Sequence, residues 1–155
     1  VGVYRYYSFY SKYIKRKRKL YYLNLFAYII SFSIVILAKS WFLFMIAWEL
    51  VTLTTTLMLL WEDKKIARQY FIIQFIGSSI LMMVILLAIC LGYNTVGPIS
   101  ENWLQFLFII GLGMKSAIFG FHFWLPAIHS TAPVPVSGML SGWVVKLGFI
   151  ILLTL

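Results

Sequence analysis

The chain has 155 residues, 63% of them hydrophobic and 11% charged, with a formal net charge of +9 and a mean hydropathy of +0.94. Soluble domains run near half apolar and a quarter charged, so this composition excludes a soluble globular protein and points to an integral membrane one. The excess positive charge does not signal nucleic-acid binding, because seven of the thirteen basic residues lie before residue 20 and the body is nearly neutral.

Residues 1–19, VGVYRYYSFYSKYIKRKRK, form a basic tail with five tyrosines. It reads either as a solvated tail obeying charge topology or as an anchor on a neighbouring acidic subunit or on anionic lipid such as cardiolipin, worth about 1 kcal/mol per basic residue near a charged membrane. No small-residue cleavage pattern follows the cluster, so no cleaved signal or transit peptide is expected.

Residues 20–155 read as an all-α transmembrane bundle of about five membrane-spanning helices, one of them discontinuous. At 1.5 Å per residue, each apolar run can cross a hydrocarbon core of about 30 Å. The first is expected over 20–38, the second over 41–61 and the third over 69–91. Cys90 lies in the third and cannot pair within the chain; it reads as a small packing residue. The turn-rich YNTVGPISEN follows, with Glu101 as a solvated or helix-start charge. A fourth span starts near Trp103 and is interrupted around Gly120 to Pro126. The fifth starts near Pro135, a residue suited to a helix's first turn.

Charge sets the topology. The tail and EDKKIAR, before span one and after span two, share a face and carry ten basic residues, against Lys39 on the other. By the positive-inside rule the tail faces the matrix or cytoplasm.

Three charges fall inside the spans. Counting residues puts Glu49 about 12 Å into span two, Lys115 about 18 Å into span four and Lys146 about 16 Å past Pro135, all near the midplane. A lysine at the centre of a bilayer costs about 2.5 to 3.5 kcal/mol on insertion scales, which marks such residues as functional. Glu49 and Lys115 read either as a structural ion pair or as part of a proton path. The structural reading leaves Lys146 without an acid. Burial disfavours the charged form of a lysine, which suits it to exchanging a proton. The break around Gly120 to Pro126 frees backbone groups, tolerated at membrane depth only in protein or beside water. His122 and His129 lie in or just beyond it, and each is either a relay or a fixed polar contact. Neither has Cys or acid neighbours at metal-ligand spacing, and the chain carries no dinucleotide fingerprint, no cluster-binding cysteines and no cofactor site of its own.

The run KSAIFGFHFWLPAIHSTAPVPVSGMLSGWVVKLG resembles the signature of the antiporter-like membrane subunits of respiratory complex I, shared with multisubunit sodium/proton antiporters. AWELVTLTTTLMLL resembles that family's glutamate-bearing helix, and ARQYFIIQFIGSSILMM is most similar to the mitochondrial subunit 2 type. The resemblance, over about residues 20–155, implies a proton relay of Glu49, Lys115 and Lys146, to which the helix break would add His122 as a further station. It implies flavin, iron-sulfur clusters and quinone in partner subunits. The partners implied are the other membrane-arm subunits, and the family's later broken helix is expected either on a second chain or on the remainder of a longer one. A mitochondrial inner membrane location is implied, with the tail on the matrix side. The rival readings are a sodium/proton antiporter subunit and a structural membrane-arm subunit without transport.

Overall fold

The computed structural model describes residues 2–117, 122–131, 137–138 and 140–154, and of residues 2–18 the backbone alone. No strand forms among the described residues. Six helices do: α1 (Gly2–Leu37), α2 (Trp41–Leu60), α3 (Lys64–Cys90), α4 (Asn102–Lys115), α5 (Leu125–Thr131) and α6 (Val145–Thr154). A single 3₁₀ turn, His122–Trp124, leads into α5, and a π-helical turn, Leu140–Val144, leads into α6. The expected start near Pro135 and the residues Gly120 and Phe121 lie outside the described residues.

Three segments are long and apolar enough to span a membrane: Lys19–Leu37, Trp41–Leu60 and Lys64–Cys90. The expectation of about five spans is therefore met by three among the described residues. The fourth stops short. At 14 residues, α4 is about 21 Å long, and it ends at Lys115 rather than at the Gly120 to Pro126 stretch. The tail also differs from expectation, because α1 starts at Gly2 and runs unbroken through the basic cluster into the first span. No glycine or proline occurs between Val3 and Ile76, and lysine and arginine are good helix formers, so nothing local stops the helix at the membrane boundary.

The other boundaries follow from local chemistry. Ser40 caps α2, its hydroxyl accepting from Phe42 N at 3.3 Å, and Asp63 caps α3 by accepting from Lys65 N at 2.7 Å and Ile66 N at 3.3 Å. Beyond the Leu91 cap of α3 stands Gly92, whose φ of 94° only glycine adopts freely. Tyr93 N then reaches back to Ala88 O at 2.9 Å, and Gly92 N to Ile89 O at 3.0 Å, closing a Schellman motif.

Successive helices pack on one another, α1 on α2, α2 on α3 and α3 on α4, with α6 against α4 and α5 against α3. On one face Val96 N donates to Lys39 O at 2.8 Å and Trp41 N to Asn94 O at 3.4 Å, tying the α1–α2 turn to the α3–α4 loop. On the other, Trp61 of the α2–α3 turn packs its ring 6.4 Å from that of Tyr21 on α1. The two faces expected from charge are thus two ends of one bundle. Below the tied loops the interior is aromatic: Trp41 lies 4.7 Å from Phe108 and Phe44 lies 5.0 Å from Trp48, ring centroid to centroid. In the half towards Trp61 the buried residues of α2 include Thr52, Thr54, Thr55 and Thr56.

Candidate functional site

Lys115 is the last residue of α4 and has no exposed surface. Two glycines let it sit there. A Cβ on Gly111 would lie 3.1 Å from Leu81 Cα, so α3 and α4 touch backbone to backbone, as small residues permit in membrane bundles. A Cβ on Gly77 would lie 3.1 Å from Lys115 Cγ, so the lysine stem crosses the space where a side chain would be. Laid across Gly77, Lys115 Nζ reaches Glu49 on α2 and donates to Oε1 at 2.6 Å. It donates as well to the hydroxyl of Ser78 on α3. The Trp48 ring adds its face, 6.0 Å from Nζ to the centroid, an arrangement favourable to a cation.

The end of α4 leaves backbone carbonyls that cannot be abandoned in a low-dielectric interior. Side chains take them. Trp124 Nε1, at the end of the 3₁₀ turn, donates to Met114 O at 3.1 Å, and Gln74 Nε2 of α3 donates to Lys115 O at 3.4 Å. Gln74 O in turn accepts from the Ser78 hydroxyl at 2.8 Å. Ser116 and Ala117 then turn the chain, Ala117 with a φ of 52° that costs a non-glycine residue some strain.

The charges expected at one depth divide. Glu49 and Lys115 meet, and the Glu49 side chain keeps 34% of its surface exposed beside the α2–α3 groove of Met45, Ile46, Met82 and Ile85. Lys146 stands elsewhere. It is exposed on α6 in an apolar groove of about 400 Å³ lined by Phe32, Val35, Phe44, Leu147 and Ile150, and among the described residues no hydrogen bond or ion pair joins it to Glu49 or Lys115. Counting residues gives height, but the side of the helix was not in the count. His122 opens the 3₁₀ turn and is exposed; His129, in α5, pairs through Nδ1 with the Ser137 hydroxyl.

Reading by charge passed over Ser78, Gln74 and Trp124. Gln74 and Ser78 were visible as the two polar residues one helical turn apart in IIQFIGSS, a spacing that puts them on one face. Trp124 carried no such signal.

The NADH:quinone oxidoreductase/Mrp antiporter transmembrane family matches residues 38–155. The chain is 32% identical over 152 residues to NAD(P)H-quinone oxidoreductase chain 4 3 of Picosynechococcus sp., covering 86% of this chain and 27% of that protein. It is 33% identical over 148 residues to chain 4-3 of Nostoc sp., covering 86% and 26%. It therefore spans about a quarter of the length of these curated relatives. Its fold is similar to part of respiratory complex I from Thermus thermophilus with bound aureothin, with a TM-score of 0.74, 24% identity, and coverage of 87% of this chain and 34% of that one. An archaeal membrane-bound sulfane sulfur reductase gives a TM-score of 0.75, 22% identity, and coverage of 89% and 25%.

Proposed function

Because the chain belongs to the NADH:quinone oxidoreductase/Mrp antiporter transmembrane family, we propose that it serves in the membrane arm of a quinone-reducing respiratory-type complex and moves protons through Lys115. The observation that carries this reading is the fully buried lysine at the end of a helix that stops inside the bundle, held 2.6 Å from a half-open carboxylate. While Glu49 is ionised and close, the ammonium of Lys115 is favoured. When that pairing loosens, burial favours the amine, and the proton leaves. The relay then runs towards Lys146 through water, with His122 as a further station, and its chemistry is proton transfer between nitrogen and oxygen bases with no cofactor in this chain. Flavin, iron-sulfur clusters and quinone belong to partner subunits of such a complex.

The relatives named above are of the chain 4 type and cyanobacterial, so this proposal takes the chain 4 type in place of subunit 2 and draws no support from them for a mitochondrial location. The basic face is assigned to the cytoplasmic or matrix side by the positive-inside rule. The test is proton uptake into sealed vesicles carrying the assembled complex. Lys115→Met should assemble and lose proton translocation; normal translocation in an assembled variant refutes the reading. The family also includes sodium/proton antiporters, and the same vesicles decide between the two: proton flux that persists without sodium supports the first reading, and sodium-dependent flux the second. A subunit without transport would leave flux unchanged in the Lys115 variant.

A further inference from the structure

Ser78 gives Lys115 a partner unlike Glu49. A carboxylate can only accept hydrogen bonds, so Glu49 suits the ammonium and offers nothing to the lone pair of a neutral amine. A hydroxyl has one hydrogen to give and lone pairs to receive with. In the structure the Ser78 hydrogen points to Gln74 O at 2.8 Å, and the oxygen receives Lys115 Nζ. The hydroxyls of Thr52, Thr55 and Thr56, also buried, bond back to carbonyls of their own helix, Trp48 O, Val51 O and Thr52 O. Among the hydrogen bonds of the described residues, Ser78 is the hydroxyl that both bonds back and meets the lysine.

We propose that Ser78 is a positioning residue for proton transfer at Lys115, its hydroxyl turning between the Gln74 carbonyl and Lys115 Nζ so that the lysine stays hydrogen-bonded with and without its transferable proton. The proposal rests on the transport reading given above. Rotation about the Cβ–Oγ bond is the whole movement. It leaves no orphan behind, because within α3 the backbone N–H of Ser78 still donates to Gln74 O in the ordinary i to i−4 pattern. When Lys115 gives its proton to the relay it passes from ammonium to amine, and the Ser78 O–H swings to the freed lone pair. Ser78 keeps its own hydrogen throughout. The site needs such a device because the residue is 5% exposed and Lys115 fully buried, so bulk water is not at hand to satisfy whichever form the carboxylate does not. Gln74 completes the arrangement by holding Lys115 O from the same turn of α3.

The test compares proton flux in vesicles carrying assembled complex with Ser78→Ala, Ser78→Thr, Ser78→Cys and, as a reference, Lys115→Met. Losing the hydroxyl should lower flux about tenfold in Ser78→Ala, keeping it should hold Ser78→Thr within about twofold of wild type, and the weak thiol should place Ser78→Cys between them. A residue needed only for its small size gives the reverse order, with alanine tolerated and the extra methyl of threonine harmful beside the Gly77 crossing. Wild-type flux in Ser78→Ala, or Ser78→Thr no better than Ser78→Ala, overturns the role of Ser78. Should Ser78→Ala fail to assemble, wild-type flux in Ser78→Cys overturns it equally. Loss of flux in Lys115→Met with wild-type flux in Ser78→Ala refutes this inference alone, whereas normal flux in Lys115→Met refutes the transport reading beneath it.

Discussion

Glu49 and Lys115 are one ion pair with unequal surroundings. The lysine has no exposed surface, whereas the glutamate side chain keeps 34% of its own. Stranding one member of a buried pair costs about 3 to 5 kcal/mol, because the desolvation of the survivor is no longer offset. The cost should therefore fall on the substitution that strands the lysine. Glu49→Gln is expected to lower the amount of assembled complex on native gels well below that of Lys115→Met, whose remaining carboxylate faces the open side of the α2–α3 groove. The double variant should recover much of what Glu49→Gln loses, since neither charge is then left in the interior. Equal assembly of the two single variants would show that Glu49 does not carry the buried charge of Lys115.

At the scale of the helix, the contact between α4 and α6 turns on Gly148. A Cβ there would stand 1.6 Å from Ser116 Oγ and 2.4 Å from Ser116 Cβ, both at the fixed end of α4. Gly148→Ala must push α6 off α4, an overpacking cost of about 1 to 3 kcal/mol. Ser116→Gly removes the two atoms it would strike, so the double variant should regain most of the thermal stability lost by Gly148→Ala alone. No recovery would mean that the methyl group meets something other than Ser116. Helix α2 could be placed from the chain by its apolar run, which begins at Trp41 right after the capping Ser40, whereas α3 was expected from residue 69 and starts at Lys64, because Asp63 caps it ahead of the apolar run. The end of α4 could not be placed from the chain. Gly120 and Pro126 marked a break by residue type, but the helix stops at Lys115, where Trp124 and Gln74 take the freed carbonyls, and such tertiary partners leave no local mark. The tail was separated from the first span for a similar reason. The cluster from Lys15 to Lys19 marks where a membrane boundary falls and says nothing about where a helix begins. Lys146 was placed by counting along the chain alone, whereas its groove on α6 depends on how that helix is turned, which the packing of Gly148 on Ser116 helps to set.

For the molecule as a whole, the loops fix two ends of unlike character. One is knitted by backbone bonds between Lys39 and Val96 and between Trp41 and Asn94. The other closes the α2–α3 turn against α1 through Trp61 and Tyr21, and there Glu62 is half-buried, its Oε1 without a hydrogen-bond partner among the described residues. Burial raises the Glu62 carboxyl from 4.5 to about 7. The sign of the consequence follows from proton counts. Between those values the folded chain holds a proton that the unfolded chain has released, so stability falls as pH rises through the window from 4.5 to about 7 and levels off above it. The carboxylate that forms must be accommodated at this end, where Asp63 adds a like charge and Lys64 and Lys65 opposite ones, and its partial exposure to solvent reduces the effect. The midpoint of thermal unfolding in detergent should therefore decline across this window in the wild-type chain, and Glu62→Gln, which has no proton to lose, should decline less. The two curves should draw together at the acid end and separate towards neutral pH. Parallel curves would mean that Glu62 ionises as freely in the folded chain as in the unfolded one, and that the turn between α2 and α3 is open to water rather than closed by Trp61 against Tyr21.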